Sequence, residues 1–440
     1  MSAECAPAGV YRPRNPRATP LYRLVDACYD EVKGQWEERF EGRYGFWRGL
    51  LDEQVRRYLD CGLYENGFAR IRCPECHAEY LLAFSCKTRE LCPSCAAKRG
   101  AATAALLRDE VLGQVGHAQW VLTIPKMLRP YFLHHRELLG KLAHAAWDTV
   151  RELLVAATGE PDLQPGMVAA VQTAGDMGSW HPHAHCLASR GGWTRAGEWV
   201  PVAYVDERAA ELVFRHKVIS LLQGEGLLSE ERTDLLLSWR HTGFSVHTGT
   251  RVEPEDGAAV ERLARYIMRP PISLERMEWD GGGPVRYRAK LGHASGRGQR
   301  REAEEHFDPR DFLARVLMHV PEPRRHLVRY YGAYSNAARG RRRRAEEAGR
   351  PGRLQPADPA EEDREVGAEI RVLRRRWREL IKRIYEVDPL VCPNCQAEMR
   401  IIAFIVDLAV VDKILRHLER KGRAKQVRGP PDAADLEAAS

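Results

Sequence analysis

The sequence lacks the long apolar segments that mark export or membrane insertion. Its 440 residues contain no apolar run of about 18 residues, and its N-terminal segment has no apolar core of signal-peptide length. Neither sign of charge is in large excess, since 68 Lys and Arg against 61 Asp and Glu give a net charge of +7. We therefore expect a soluble intracellular protein, with no membrane contact, whose slight basic excess favours an anionic partner such as nucleic acid.

The eleven cysteines concentrate in Cys-x-x-Cys pairs, which favour metal binding over disulfides in a reducing compartment. Cys73 and Cys76 are followed after fifteen residues by Cys92 and Cys95. Two such pairs supply the four thiolates of a tetrahedral site. The spacing therefore predicts one structural Zn²⁺ bound by these four cysteines.

Other cysteines and histidines could also bind zinc. Cys86 and His77 stand close to the first pairs, but a site filled by four thiolates needs neither. Cys392 and Cys395 form a lone pair with no second pair downstream. Half a site cannot satisfy four-coordination, so this pair would need ligands from elsewhere, such as another subunit.

Three histidines alternate at positions 181, 183 and 185, just after an apolar segment. Alternate residues of a strand project from one face, but Pro182 cannot donate to a central ladder. We therefore expect the regular strand to begin at or after Pro182, with His183 and His185 as the secure pair. Two imidazoles and one further ligand would leave a divalent cation open to substrate, whereas the alternative is ordinary polar residues at a strand start.

The third ligand is open between Gln172, at the end of the preceding strand, and His181. We rank Gln172 first because Pro182 disturbs the strand geometry that His181 would need. Imidazoles and an amide oxygen, completed by water and an anionic substrate, suit Mg²⁺ or Mn²⁺.

Hydrophobic periodicity predicts an α+β fold with helices on one face of a sheet. Apolar spacing predicts a helix over 128–157, helices over 194–240, and helix, proline break and helix over 311–335. The charged, Gly/Pro-rich segment 339–365 indicates a flexible basic linker. The predicted strands are 119–124, 167–175, 183–189, 243–252 and, as the last strand of the sheet, 284–292.

Five segments of the sequence, in order over about residues 45–405, resemble the transposases of the insertion-sequence-91 family and its common-region relatives. They are GFARIRCPECHAEYLLAFSCKTRELCPSCAAKR, QWVLTIP, VQTAGDMGSWHPHAHCLAS, LARYIMRPPIS and LIKRIYEVDPLVCPNCQAEMRIIAFI. The resemblance implies an N-terminal zinc-binding module and an HUH endonuclease domain with a central antiparallel sheet and flanking helices. It also implies rolling-circle transposition, in which a tyrosine attacks one DNA strand.

The resemblance and the helical spacing together make Tyr266 the candidate nucleophile. It lies near the end of a helix that the following proline pair must terminate. Arg262 stands one turn earlier, where the family's two-tyrosine pattern has its partner, and it could bind the scissile phosphate but not attack it. This departure resembles the single-tyrosine relatives and puts strand transfer through two covalent intermediates in doubt. The reserve nucleophiles are Tyr287, Tyr330, Tyr331 and Tyr334.

The resemblance also fixes the expected domains and partners. The partners would be single-stranded DNA at transposon ends and target DNA, in a cytoplasmic, nucleoid-associated protein. The rival hypothesis is an inactive zinc-knuckle DNA-binding regulator, and a third hypothesis is a metal-dependent hydrolase of small molecules.

The expected DNA contacts are Arg265, Arg269, Lys290, Arg341 and Arg342. The expected domains are an N-terminal arm and helix (1–45), the zinc-binding module with its linking helix (46–115), the nuclease domain (116–292), a helical DNA-contacting extension (293–338), the basic linker (339–365) and a C-terminal helix, knuckle and tail (366–440).

Overall fold

A computed structural model of the chain describes residues 15–202, 205–239, 243–253, 256–289, 304–348, 390–392 and 394–420. The α-helices are α1 Pro20–Gly34, α2 Glu41–Tyr44, α3 Leu50–Leu59, α4 Pro93–Leu106, α5 Arg129–His134, α6 Leu138–Thr158, α7 Glu207–Gly224, α8 Glu230–Ser238, α9 Gly257–Ile267, α10 Pro309–Leu317, α11 Asn336–Ala348 and α12 Leu408–Arg420. The strands are β1 Phe68–Arg72, β2 Glu79–Ala83, β3 His117–Thr123, β4 Gly166–Ala174, β5 Trp180–Ser189, β6 Gly191–Trp193, β7 Trp199–Pro201, β8 Ser245–Val252, β9 Met277–Glu278, β10 Val285–Arg288, β11 Glu304–Phe307, β12 Val328–Gly332 and β13 Arg400–Ile405. None of the helices in this described part has both the length and the apolarity needed to cross a bilayer.

The chain divides into two compact units. The first combines Met1–Ala27, Asp52–Ala102 and Leu354–Ser440, and the second combines Cys28–Leu51 and Thr103–Arg353. The expected separation of 366–440 from the zinc-binding module is therefore wrong. The reason is backbone pairing, because β13 forms an antiparallel ladder with β1 in a sheet of order β13-β1-β2.

The second unit is built on a five-stranded antiparallel sheet of order β12-β4-β5-β3-β8. The expected mixed fold with a central antiparallel sheet is confirmed. On one face of β5, Ala184 and Cys186 pack into a core with α6 and α7. On the other face, Leu187 packs with Leu263 and Ile267 of α9. Helices therefore cover both faces and not the one face expected, because β5 carries apolar residues on each side.

The helix predicted after the proline break is wrong, because this segment forms the edge strand β12. Val328, Tyr330 and Tyr331 are β-branched and aromatic residues, which favour strands, and they pair with the apolar strand β4. The Tyr331 ring stacks on Trp147 of α6, with ring centroids 5.5 Å apart and planes 9° apart. The segment 293–338 is therefore not a purely helical extension, since it supplies one edge of the central sheet.

Two further expectations are corrected at the end of this unit. Strand β10 does not join the central sheet, because it pairs with β9 and β11 in a separate three-stranded sheet. The expected linker 339–365 begins within α11, whose run of Arg, Ala and Glu residues consists of good helix formers. The remainder of that linker, and the helix expected before Cys392, lie outside the described residues.

A buried histidine fixes the turn between β4 and β5. Nε2 of His319 lies 2.9 Å from the Gly178 carbonyl oxygen, and its Nδ1 lies 2.9 Å from the Thr173 hydroxyl. These partners fit a neutral ring in which Nε2 donates to the carbonyl and Nδ1 accepts from the hydroxyl. Burial, reinforced by the charges of nearby arginines, lowers the pKa of His319 to about 3.

This histidine gives the fold an acid-sensitive contact. In the folded state His319 stays neutral, whereas in the unfolded chain it takes up a proton below about pH 6.5. Falling pH therefore favours unfolding between about 6.5 and 3. We expect wild type to lose about 2 kcal/mol more unfolding free energy than His319→Gln between pH 7 and pH 5. Urea denaturation at the two pH values measures this difference, and equal losses would contradict it.

Candidate active site and cysteine clusters

The sheet register places the paired histidines beside both neighbouring strands. On β5, His183 stands opposite Gln172 of β4 and Thr123 of β3. The ladder between β5 and β3 begins at His183. The expected start of the strand at or after Pro182 is wrong, because β5 begins at Trp180, which pairs with β4 beyond a register shift that accommodates the proline. Both His183 and His185 are buried, with 8% and 3% of their surfaces exposed.

Their ring nitrogens converge on one point. Nδ1 of His183 lies 2.7 Å from the His181 carbonyl oxygen, so it carries the hydrogen and leaves Nε2 with a lone pair. That Nε2 lies 3.0 Å from Nε2 of His185. The two Nε2 atoms are therefore close enough to bind the same proton or the same metal ion.

Burial and nearby charge keep these rings neutral. Burial lowers the pKa of His183, with smaller contributions from the positive charges of Arg129 and Arg269. Burial, with the charges of its neighbours, lowers the pKa of His185 to about 3 and that of His181 to about 4. Neutral imidazole is the form that binds metal.

The histidine pair fits a divalent cation with octahedral geometry. Two adjacent ligands at about 2.1 Å from such an ion would be about 3.0 Å apart, as the two Nε2 atoms are. The Gln172 amide nitrogen donates to other groups, which leaves its oxygen as the end able to coordinate. Nε2 of His181, by contrast, is buried with no hydrogen-bond partner among the described residues, and the His181 ring lies 5.0 Å from that of His183.

Helix α9 brings Tyr266 onto the histidines. The Tyr266 ring meets His185 edge to face, with centroids 5.2 Å apart and planes at 89°. Gln172 holds the end of this helix, because its amide nitrogen donates to the carbonyl oxygens of Tyr266 at 3.2 Å and Ile267 at 2.7 Å. The Arg269 guanidinium lies over the Tyr266 ring at 4.7 Å. Tyr266 itself is 39% exposed, so a substrate can reach it.

The reserve tyrosines have other surroundings. Tyr287 is fully buried, and its hydroxyl accepts from the backbone nitrogen of Ser273. The Tyr334 hydroxyl lies 2.6 Å from Nε2 of buried His117. Tyr331 stacks on α6, as described above, and Tyr330 lies under Arg339. Of the five candidate tyrosines, Tyr266 is the one whose ring contacts the histidine pair.

The basic residues expected to contact DNA that the structure describes lie on or just after α9 and on α11. Helix α9 carries Arg262, which is 70% exposed and 4.0 Å from Asp256, and Arg265, which pairs with Glu261 at 2.6 Å. Arg269 follows the last residue of this helix by two positions. Arg341 and Arg342 lie on α11, where Arg342 donates to the Ala333 carbonyl at 2.7 Å. Lys290 lies outside the described residues.

Arg129, at the start of α5, is the residue that sequence reasoning missed. Its charge acts on His181 and His183, and its buried Nε atom has no hydrogen-bond partner within the part of the chain that the structure describes. The available signal was its position, six residues after the strand that flanks the histidines.

The cysteine pairs do not combine as the spacing predicts. Cys92 and Cys95 lie with Cys61 and Cys86, and their four sulfur atoms are within 4.8 Å of one another. The S···S distances of 3.8, 3.8 and 3.5 Å match the roughly 3.8 Å edge of a tetrahedral zinc–thiolate site.

Cys73 and Cys76 instead lie with Cys392 and Cys395. The predicted grouping of Cys73, Cys76, Cys92 and Cys95 in one site is therefore wrong. The reason is the antiparallel pairing of β13 with β1, which brings the C-terminal pair to the first one. The two clusters indicate structural zinc in this unit.

Comparisons with known proteins agree with this architecture. Residues 166–342 match a family model described as "Putative transposase", and residues 34–124 match one described as "Transposase zinc-binding domain". The chain is 28% identical over 316 residues to the "Transposase for insertion sequence element IS801" of Pseudomonas savastanoi pv. phaseolicola, covering 66% of this chain and 73% of that protein. It is 25% identical over 286 residues to the "Putative transposase y4qJ" of Sinorhizobium fredii, covering 61% and 70%.

No solved structure gives a significant match to the chain. The first family model includes the histidine pair and Tyr266, and the second includes all four cysteines of the Cys61 cluster. The chain therefore belongs to the insertion-sequence-91 family of transposases, which are DNA-processing enzymes, and it carries that family's N-terminal zinc-binding domain.

Proposed function

We propose that this protein is a rolling-circle transposase that nicks single-stranded transposon ends by tyrosine attack, using an HUH endonuclease fold. The observation that carries the proposal is the contact between the Tyr266 ring and His185, beside a pair of convergent imidazole nitrogens. A nucleophile, a cation site and an arginine lie together on one face of the sheet. That set suits phosphodiester cleavage.

In the proposed reaction, the Tyr266 hydroxyl oxygen attacks the phosphorus atom as its proton passes to solvent. The bond between phosphorus and the 3′ oxygen breaks, and that oxygen takes up a proton. The products are a 5′-phosphotyrosine ester and a free 3′-hydroxyl, so the energy of the broken bond is kept for strand transfer. When bound, Mg²⁺ or Mn²⁺ would polarise the non-bridging phosphate oxygens.

The chain's own residues hold this arrangement. His183, His185 and the Gln172 oxygen would bind the cation, while the Gln172 amide nitrogen orients the end of α9. Arg269 lies against the Tyr266 ring, where a guanidinium can bind the phosphate next to the attacking oxygen. Arg129 would add positive charge near His181 and His183.

A single tyrosine restricts the strand-transfer scheme. Arg262, one helical turn before Tyr266, stands where a second nucleophile would be. Its exposure, with only a long ion pair to Asp256, leaves it available to DNA. We propose that it binds phosphate, as do Arg265, Lys290, Arg341 and Arg342, and that one subunit forms one covalent intermediate at a time.

Substitution of the proposed nucleophile tests the reaction. Wild type with Mn²⁺ should nick a labelled single strand carrying a transposon end and leave a protein–DNA adduct that survives denaturation. Tyr266→Phe should form no adduct, because it lacks the attacking oxygen. Tyr330→Phe is the matched control and should keep wild-type levels. An undiminished adduct from Tyr266→Phe overturns the assignment, and cleavage by wild type without any adduct indicates hydrolysis by water.

Substitution of the histidines tests the cation site. His183→Ala and His185→Ala should each lower the nicking rate at least about 100-fold, because each removes a proposed ligand. Part of the loss should be recovered at higher Mn²⁺ concentration. His247→Ala is the control, since this exposed histidine of β8 lies on the same face but pairs with Glu207 at 3.2 Å. Equal rates for all three variants would exclude a role for the pair.

A further inference from the structure

The second cysteine cluster joins two copies of the same short segment. Residues 73–79 read CPECHAE and residues 392–398 read CPNCQAE, with each position of the second 319 residues after its counterpart. The sequences share the Cys-Pro-x-Cys-x-Ala-Glu pattern. They occur at opposite ends of the described chain.

The described residues of the two segments share their backbone contacts. In each, the nitrogen of the first cysteine donates to the carbonyl oxygen of the alanine at 2.8 Å. In each, the residue after the second cysteine has a left-handed conformation, with φ of 62° at His77 and 61° at Gln396. Each is closed by an antiparallel pair, Arg72 with Glu79 and Val391 with Glu398. Both are therefore turns that present two cysteine side chains in the same way.

The packing beneath the two turns follows the same correspondence. One core cluster contains Ile71, Cys73 and Tyr80 together with their counterparts Leu390, Cys392 and Met399. The sulfur atoms face one another across this core, with Cys73 3.5 Å from Cys395 and Cys76 3.3 Å from Cys392. All four lie within 4.8 Å of one another. Four thiolates on two facing turns form the ligand set of a structural zinc site.

We propose that Cys73, Cys76, Cys392 and Cys395 bind a second zinc ion, in a zinc ribbon assembled from the two ends of the chain. This site is distinct from the Cys61 cluster, and two of its four ligands lie beyond residues 34–124, which match the zinc-binding family model. Gln396 stands where the first turn has His77, and neither residue belongs to the group of four sulfur ligands. The ion closes a loop that contains the whole of Thr103–Arg353.

Zinc content of cysteine variants tests the pairing. The purified full-length wild type, measured by inductively coupled plasma mass spectrometry, should hold two zinc ions per chain. Cys392→Ser with Cys395→Ser should hold one, and Cys73→Ser with Cys76→Ser should hold the same one. Combining the two pairs should cost no further zinc. Cys28→Ala, which removes a buried thiol outside both clusters, should keep two.

One combination separates this proposal from a site made of Cys73, Cys76, Cys92 and Cys95. Replacing all four with serine should leave no zinc, whereas a shared site would lose a single ion. Two zinc ions in the Cys392 and Cys395 variant, or one in wild type, overturn the proposal.

A second measurement distinguishes the loss of zinc ligands from the loss of zinc through misfolding. Cys392→His with Cys395→His should restore two zinc ions per chain, because imidazole can replace thiolate at such sites. With Co²⁺ in place of zinc, thiolate-to-metal absorption should fall to half in the serine pair. An unchanged cobalt spectrum in that pair would also overturn the proposal.

Discussion

The burial of two unprotonated imidazoles side by side on β5 is the constraint on which the candidate active site depends. Neither ring can take up a proton at neutral pH without bringing charge into a site already facing Arg129 and Arg269. Held 3.0 Å apart, the two Nε2 atoms are close enough to share one proton or one metal ion. The antiparallel register of three strands maintains this spacing.

Gln172 links that constraint to the nucleophile. It stands opposite His183 in the β4–β5 ladder and donates to two carbonyl oxygens at the end of α9. Those carbonyls are among the last of the helix, which have no partner within it. One amide therefore fixes the position of Tyr266 with respect to the histidines. His319 fixes the turn that follows Gln172, so the turn end of the hairpin is restrained by both residues.

Local pattern was sufficient to predict the central strands and the histidine pair. The apolar segment before Gln172 and the alternation after Pro182 encode β4 and β5, and the proline pair after Tyr266 ends α9 close to the predicted residue. Strand β12 was missed because its five residues, VRYYG, are too few to show a period and fit either a helix or an edge strand. The segment forms a strand because it pairs with the edge of β4, a contact that the local sequence does not reveal.

The prediction of which cysteines share a site was wrong for a different reason. Spacing along the chain gives the number of thiolates, but which pairs meet depends on β13 pairing with β1, a contact between distant residues. Cys61 carried no signal, because it stands alone between a helix and a turn. The repeat of Cys-Pro-x-Cys-x-Ala-Glu was present in the sequence and would have indicated that the C-terminal pair has an internal partner.

The shared core of the two turns also imposes an order on biosynthesis. Ile71 and Tyr80 leave the ribosome more than 300 residues before Leu390 and Met399, against which they pack. At about 5–20 residues per second, that interval is roughly 15–60 s. During this time the apolar side of the first turn has no native cover, while the intervening segment Thr103–Arg353 can already fold. A polypeptide released early would keep this surface exposed to chaperones and proteases, so translation to the far end of the chain is required before the first turn is complete.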